Sequence, residues 1–292
     1  MNENAARTTG AGPQPALIMV APNGARRGKA DHPALPVSIA ETVQTAVACR
    51  QAGAGAIHLH VRDGEGRHSL DPGLYREAVQ AVNAATDSRI LVQITTEAVG
   101  SYRSDEQVAT VKAVMPDAVS VALREMCPGR VDEPFAADFY HWAHDAGIGL
   151  QHILYSADEV YRLSGMIARG SIPGDRHAMI FVLGRYAANQ QSEPADLDPY
   201  LRAVGDCRLD DIIDWMVCAF GSGETACLAD ALARGGHARV GFENSLWNAD
   251  GSVAKSNEER VAAISNICEL LSRGNGQTAQ AAGILGRTGS SG

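Results

Sequence analysis

Short apolar runs and longer amphipathic segments alternate along the whole chain. The runs fall at 17–21 (LIMVA), 56–61 (AIHLHV), 90–95 (ILVQIT), 118–122 (AVSVA), 149–154 (GLQHIL), 178–183 (AMIFVL), 215–219 (WMVCA) and 238–242 (ARVGF). Each is rich in Val, Ile, Leu or Ala and short enough for a parallel strand buried on both faces. The segments between them carry helix signals. Ser38-x-x-Glu41, Ser156-x-x-Glu159 and Ser256-x-x-Glu259 have the spacing of capping boxes, and Asp71-Pro72 that of an N-cap followed by proline in the first turn. Gly53, Gly147, Gly170 and Gly235 stand where helices should stop. Eight strands alternating with eight helices predict an α/β chain whose parallel sheet closes into a single-domain (β/α)8 TIM barrel. An open doubly wound sheet is the alternative, but no G-x-G-x-x-G follows the first strand. Residues 1–15 and 287–292 are polar and low in apolar residues, and are expected to be a disordered arm and a flexible tail around a barrel spanning 16–286.

Composition adds exclusions. At 292 residues, 45% of them hydrophobic, the chain can bury one large core or two small ones. A net charge of -9 repels polyanions, so neither nucleic acid nor an anionic membrane is expected as a partner. The six cysteines have no C-x-x-C spacing, and several sit in apolar runs, which fits buried free thiols in a reducing compartment. No segment resembles a signal sequence, and none approaches the roughly 18 apolar residues of a membrane span. A cytoplasmic protein is expected.

In a barrel of this kind the site lies at the C-terminal ends of the strands. Those ends are polar here: Asn23, Arg26 and Arg27 after the first; His58, His60, Arg62 and Asp63 at the second; Gln93, Thr95, Thr96 and Glu97 at the third; Arg124 and Glu125 after the fourth; Gln151, His152 and Tyr155 at the fifth; Arg185 and Tyr186 after the sixth; Ser222 and Glu224 after the seventh; Glu243 and Asn244 after the eighth. His58 and His60 are two apart on a strand and share a face, so both imidazoles project into the barrel mouth. Two neutral imidazoles suit Zn2+ or a similar divalent ion, and Glu243 is the expected third ligand. The alternative is a pair of hydrogen-bonded core histidines. Arg26 stands near the mouth, or is a solvated arginine beside Arg27 and Lys29. Glu97 is a substrate contact or an ion partner for a nearby arginine. Arg62 and Asp63 are expected to pair, and His68, His144 and His237 to be ordinary surface or packing residues.

The runs APNGARRGKADHPALPVS, GAIHLHVRDGEGRHSLDP, VQITTEAVG, FVLGR and GGHARVGFENSLW resemble the β-keto acid cleavage enzymes, in order, over roughly residues 17–286. The resemblance implies a TIM barrel, a homotetramer, and Zn2+ held by His58, His60 and Glu243. It implies condensation of a β-keto acid with acetyl-CoA to give acetoacetate and a new acyl-CoA, with no organic cofactor beyond the CoA co-substrate. Thr95 stands where the family has a serine and keeps its hydroxyl, able to hold substrate or a developing oxyanion.

Three departures stand out. Asn244 replaces the aspartate that acts as the family's base, and an amide cannot take a proton at neutral pH. Ser222 stands where the founding enzyme is expected to carry an arginine paired with that aspartate. Glu97, Glu125 and Glu224 are then the candidate bases. Arg26 replaces a glutamate that holds an ammonium group, which inverts the preferred charge and implies a β-keto acid with a second carboxylate. Asn23, Thr96, Ser222 and Arg185 complete the expected substrate contacts. Two further readings compete: a CoA-independent metal-dependent lyase or hydrolase of a small oxo acid, and a non-catalytic zinc-containing barrel that binds anions.

Overall fold

The computed structural model describes residues 14–274, 276 and 278–287. The expected arm and tail therefore lie mostly outside the described residues. Eight parallel strands close the barrel: β1 (Ile18–Val20), β2 (Ala56–Leu59), β3 (Leu91–Thr95), β4 (Ala118–Ala122), β5 (Gly149–Leu154), β6 (His177–Leu183), β7 (Ile213–Ala219) and β8 (His237–Val240). Each pairs with its sequence neighbours, and β8 closes on β1 with Ile18 beside Ala238. All eight strands predicted from the apolar runs are present.

Helices cover the outside: α1 (Ile39–Gln51), α2 (Pro72–Thr86), α3 (Ser104–Val114), α4 (Glu133–Asp145), α5 (Ala157–Ala168), α6 (Asp198–Asp206), α7 (Glu224–Ala233) and α8 (Asn257–Leu270). A further helix, α9 (Thr278–Ile284), follows them, and a four-residue helical turn, Leu123–Met126, directly follows β4. Among the described residues no helix is long and apolar enough to cross a membrane.

Strand periodicity sorts the core into two layers. Ile18, Val20, Ile57, Leu59, Val92 and Ile94 face the helices in one cluster, while Leu17, Met19, Ala56, Leu91, Ile180 and Val182 face the barrel axis in another. Ala281 and Leu285 of the C-terminal segment join the axial cluster. The same parity aims His58, Gln93, Thr95, Gln151 and Arg239 at the axis, all of them buried.

The caps follow the sequence in part. Ser38 and Glu41 form a complete capping box, and the Asp71 carboxylate accepts from Leu74 N at 2.8 Å. Ser256 accepts from Glu259 N, but the Glu259 carboxylate takes Lys255 N instead of completing the box. Ser156 makes no side-chain cap: Glu159 N donates to the Ser156 carbonyl oxygen at 3.1 Å, and the Glu159 carboxylate goes to Tyr155 N and Arg124 Nε. The predicted strand 56–61 stops at Leu59, and the chain turns into a two-stranded hairpin in which Val61 faces Ser69 and Arg62 faces His68. The predicted strand 238–242 stops at Val240. Gly241 has φ +139°, and a Cβ there would lie 2.5 Å from the Ala21 carbonyl oxygen, so the backbone leaves the sheet just ahead of Glu243. The six cysteines are all free, and all but Cys207 are buried.

Candidate metal and substrate site

His58 and His60 leave β2 on the axial side and meet Glu243 from the turn after β8. The two Nε2 atoms are 3.2 Å apart, and they lie 3.7 and 3.4 Å from Glu243 Oε2. A tetrahedral ion with ligand bonds of about 2.0–2.1 Å needs donor atoms about 3.3 Å apart. The three donors therefore fit one divalent ion, and Glu243 Oε2 is a buried oxygen with no hydrogen-bond partner.

The surroundings prepare each donor. Gln93 faces His58 across the β2–β3 pairing. Its Nε2 donates to Gln151 Oε1 at 3.1 Å, so its Oε1 is the atom that accepts from His58 Nδ1 at 2.8 Å. That bond puts the proton on Nδ1 and turns the Nε2 lone pair toward His60 and Glu243, where it could meet a divalent ion. Burial, then Arg239, pushes the His58 imidazole down to about 3, which keeps it neutral and able to ligate. Burial also disfavours charge on Glu243. Arg239, at 3.0 Å from Oε1, and the two imidazoles outweigh that and hold the carboxyl well below its usual range. Gly24 has φ +62°, and a Cβ there would meet Glu243 Cγ at 2.5 Å, so only glycine lets the first loop pass this close.

The cavity beside these ligands is lined by Asn23, Arg26, Thr95, Glu97, Arg185 and Arg239, among others. Thr95 Oγ1 accepts from Glu97 N at 3.0 Å, which leaves the hydroxyl hydrogen free to donate into the cavity. Asn23 donates to the carbonyls of Pro36 and His60, and its buried Oδ1 has no partner. Arg26 is exposed at the rim and makes no hydrogen bond or ion pair with the described residues. Arg185 stacks its guanidinium 5.2 Å from the Phe220 ring and meets no carboxylate among the described residues. Arg27 is committed, donating to the carbonyls of Phe242 and Asn244.

Several expected site residues stand elsewhere. Thr96 turns out of the cavity and donates to the Ser120 carbonyl. Ser222 is exposed and donates to Gln191 Oε1 at 3.0 Å. The Glu125 carboxylate accepts from Ala98 N and Gln107 Nε2, which ties down the loop after β3. Glu224 is fully buried against Arg260 at 2.9 Å and also accepts from Gly241 N. Burial raises its carboxyl, and Arg260 offsets part of that rise. Asn244 is buried but does not line the cavity, and neither of its side-chain polar atoms has a hydrogen-bond partner among the described residues.

One further reading needs correction. Arg62 does not pair with Asp63. Its guanidinium donates to the carbonyls of Gly24, Ala25, Arg27 and Gly66, clamping the first loop to the hairpin, while Asp63 pairs with Arg67. His68 is a packing residue, the second of the two roles expected for it: its ring packs 5.2 Å from that of His60, and its Nε2 donates to the Glu97 carbonyl at 2.8 Å.

Arg239 went unnoticed in the sequence. Its signal was a lone cation in an otherwise apolar strand, a placement that is costly unless a carboxylate waits nearby. The loss of an arginine suggested by Ser222 is therefore no loss of positive charge from the site.

The chain resembles curated enzymes over nearly its whole length. It is 27% identical over 280 residues to the 3-oxoadipate:acetyl-CoA acetyltransferase of Cupriavidus necator, covering 94% of this chain and 95% of that one. It is 26% identical over 276 residues to the 3-keto-5-aminohexanoate cleavage enzyme of Acetoanaerobium sticklandii, covering 92% and 97%. Among solved structures, a ternary complex of ObcA with a C4-CoA adduct and oxalate superposes with TM-score 0.66 at 16% identity, over 87% of this chain and 68% of that one. The type I 3-dehydroquinate dehydratase of Clostridium difficile does so with TM-score 0.59 at 13% identity, over 89% and 93%. At those identities the structural likeness shows the shared fold. The family model described as beta-keto acid cleavage enzyme matches residues 15–286, which takes in every strand of the barrel and every loop around its mouth, and so the chain belongs to that family.

Proposed function

We propose that this enzyme condenses a β-keto acid bearing a second carboxylate with acetyl-CoA, giving acetoacetate and an acyl-CoA, with zinc as the resident ion. The observation that carries the reading is the convergence of His58, His60 and Glu243 at tetrahedral spacing in a cavity whose rim carries an arginine with no partner among the described residues. Two neutral imidazoles and a carboxylate suit zinc and leave a position for substrate. When bound, such an ion supplies Lewis-acid polarisation of a keto oxygen.

The chain's own residues do the rest. The free Thr95 hydroxyl hydrogen is placed to donate to a developing oxyanion. Asn23 Oδ1 and the cations Arg185 and Arg239 line the same space. Arg26, uncommitted at the rim, can take a carboxylate through two parallel hydrogen bonds. The Cupriavidus necator relative is named for 3-oxoadipate, a keto acid with two carboxylates, and this supports the charge preference.

The test is a panel of β-keto acids incubated with and without acetyl-CoA, following acetoacetate. Product is expected only when both are present, and dicarboxylic keto acids should outpace amino-bearing ones. Arg26→Glu should reverse that order by more than tenfold. Keto-acid consumption that ignores acetyl-CoA would instead establish a CoA-independent lyase or hydrolase. An unchanged preference in the variant would remove Arg26 from recognition.

A further inference from the structure

We infer that Glu97 is the base that takes the proton from the substrate's methylene carbon, an inference that rests on the reaction just proposed. Cleavage begins with loss of a proton from the carbon between the ketone and the carboxylate, so a proton acceptor must reach the cavity. Asn244 has none to offer and does not line it.

The acidic side chains around the mouth are otherwise spent. Glu243 serves Arg239 and the two imidazoles. Glu224 is locked to Arg260, Glu125 to Ala98 N and Gln107, and Glu159 to Arg124 and Tyr155 N. Glu97 alone among these lines the cavity with both carboxylate oxygens free of any hydrogen bond or ion pair to the described residues. Its backbone is held from two sides, its N–H by Thr95 Oγ1 and its carbonyl by His68 Nε2. A pinned main chain carrying an uncommitted carboxylate is built for proton transfer; a carboxylate that served the fold would be paired.

The step balances. The methylene C–H bond breaks, its electron pair enters the enolate, and the proton goes to a Glu97 oxygen. The carbanion attacks the thioester carbonyl of acetyl-CoA and expels the CoA thiolate. The thiolate adds to the original ketone, and the carbon–carbon bond breaks to give the acyl-CoA and the enolate of acetoacetate. Glu97 returns its proton to that enolate carbon, so no proton is gained or lost overall.

The experiment compares zinc-loaded wild type with Glu97→Gln and Glu97→Asp. Deuterium exchange of the methylene protons is followed by NMR without acetyl-CoA, above the enzyme-free rate, beside kcat, KM and metal content. Glu97→Gln should lower enzyme-dependent exchange and kcat by about 100-fold or more, with KM within a few-fold and metal content unchanged. Glu97→Asp should recover part of both. Exchange at the wild-type rate in Glu97→Gln overturns the assignment, and so does loss of metal from it, which would make Glu97 a support of the site. Wild type that exchanges but never forms acetoacetate sinks the acetyl-CoA reaction and leaves the base standing. Wild type that does neither sinks the reaction itself.

Discussion

The imidazole of His58 is oriented by what stands behind it. Gln93 and Gln151 form a chain of two amides whose donor and acceptor ends can be ordered only one way once Gln151 Oε1 takes the Gln93 amide. Gln93 Oε1 is then an obligatory acceptor for His58 Nδ1–H. Gln93→Leu removes that acceptor while keeping a side chain of similar size on the barrel axis. Metal affinity should fall by about 10- to 100-fold, read by chelator competition, with the fold retained. Unchanged affinity would mean that packing alone orients the ring. Arg239 does the corresponding task for Glu243, keeping it ionised inside a buried pocket where an unpaired carboxyl would be protonated.

At the scale of elements, the loops around the mouth are held by side chains that bond to backbone. Arg62 spans the first loop and the hairpin through four carbonyls, and Glu125 with Gln107 fixes the loop that carries Glu97. Helix starts obey the same economy of partners. Ser38 satisfies Glu41 N, whereas Ser156 caps nothing with its hydroxyl. Ser38→Ala should therefore cost about 1 kcal/mol in chemical denaturation, and Ser156→Ala should stay within about 0.5 kcal/mol. Equal losses in the two variants would show that the Ser156 hydroxyl caps its helix in solution. The identical S-x-x-E spacing hid this difference: Glu159 N takes the Ser156 carbonyl instead of its hydroxyl, and the Glu159 carboxylate goes to Arg124, which lies 35 residues away.

The whole molecule buries several imidazoles in neutral form, and that makes its stability sensitive to acid. His152 is fully enclosed beside Tyr140, and burial pushes it down to about 3. The unfolded chain takes up that proton near pH 6.5 and the folded chain only near 3, so the unfolded state binds more protons in between. Stability contributed by a neutral His152 is therefore intact above pH 6.5 and is lost as pH falls toward 3. By pH 5 the loss amounts to about 2 kcal/mol for this one residue. His152→Phe should flatten the decline of melting temperature between pH 7 and pH 5. A variant that keeps the wild-type slope would assign the acid sensitivity to His58, His68 and His237, which burial shifts in the same direction.

By itself the sequence determined the barrel and singled out the three side chains, His58, His60 and Glu243, whose donor atoms could hold a metal ion. Strand periodicity is a local property of the backbone: every second side chain shares a face, so eight apolar runs sufficed to aim His58, His60, Gln93 and Thr95 at the axis. Only the tertiary structure decided which residues of the loops enter the cavity. Thr96 adjoins Thr95 and turns away, Ser222 follows β7 and is spent on Gln191, and Glu125 and Glu224 are consumed by distant partners while Glu97 is left free. A loop has no repeat to carry direction. Where its side chains point is set by hydrogen bonds to segments tens to hundreds of residues away, and those exist only once the chain has closed.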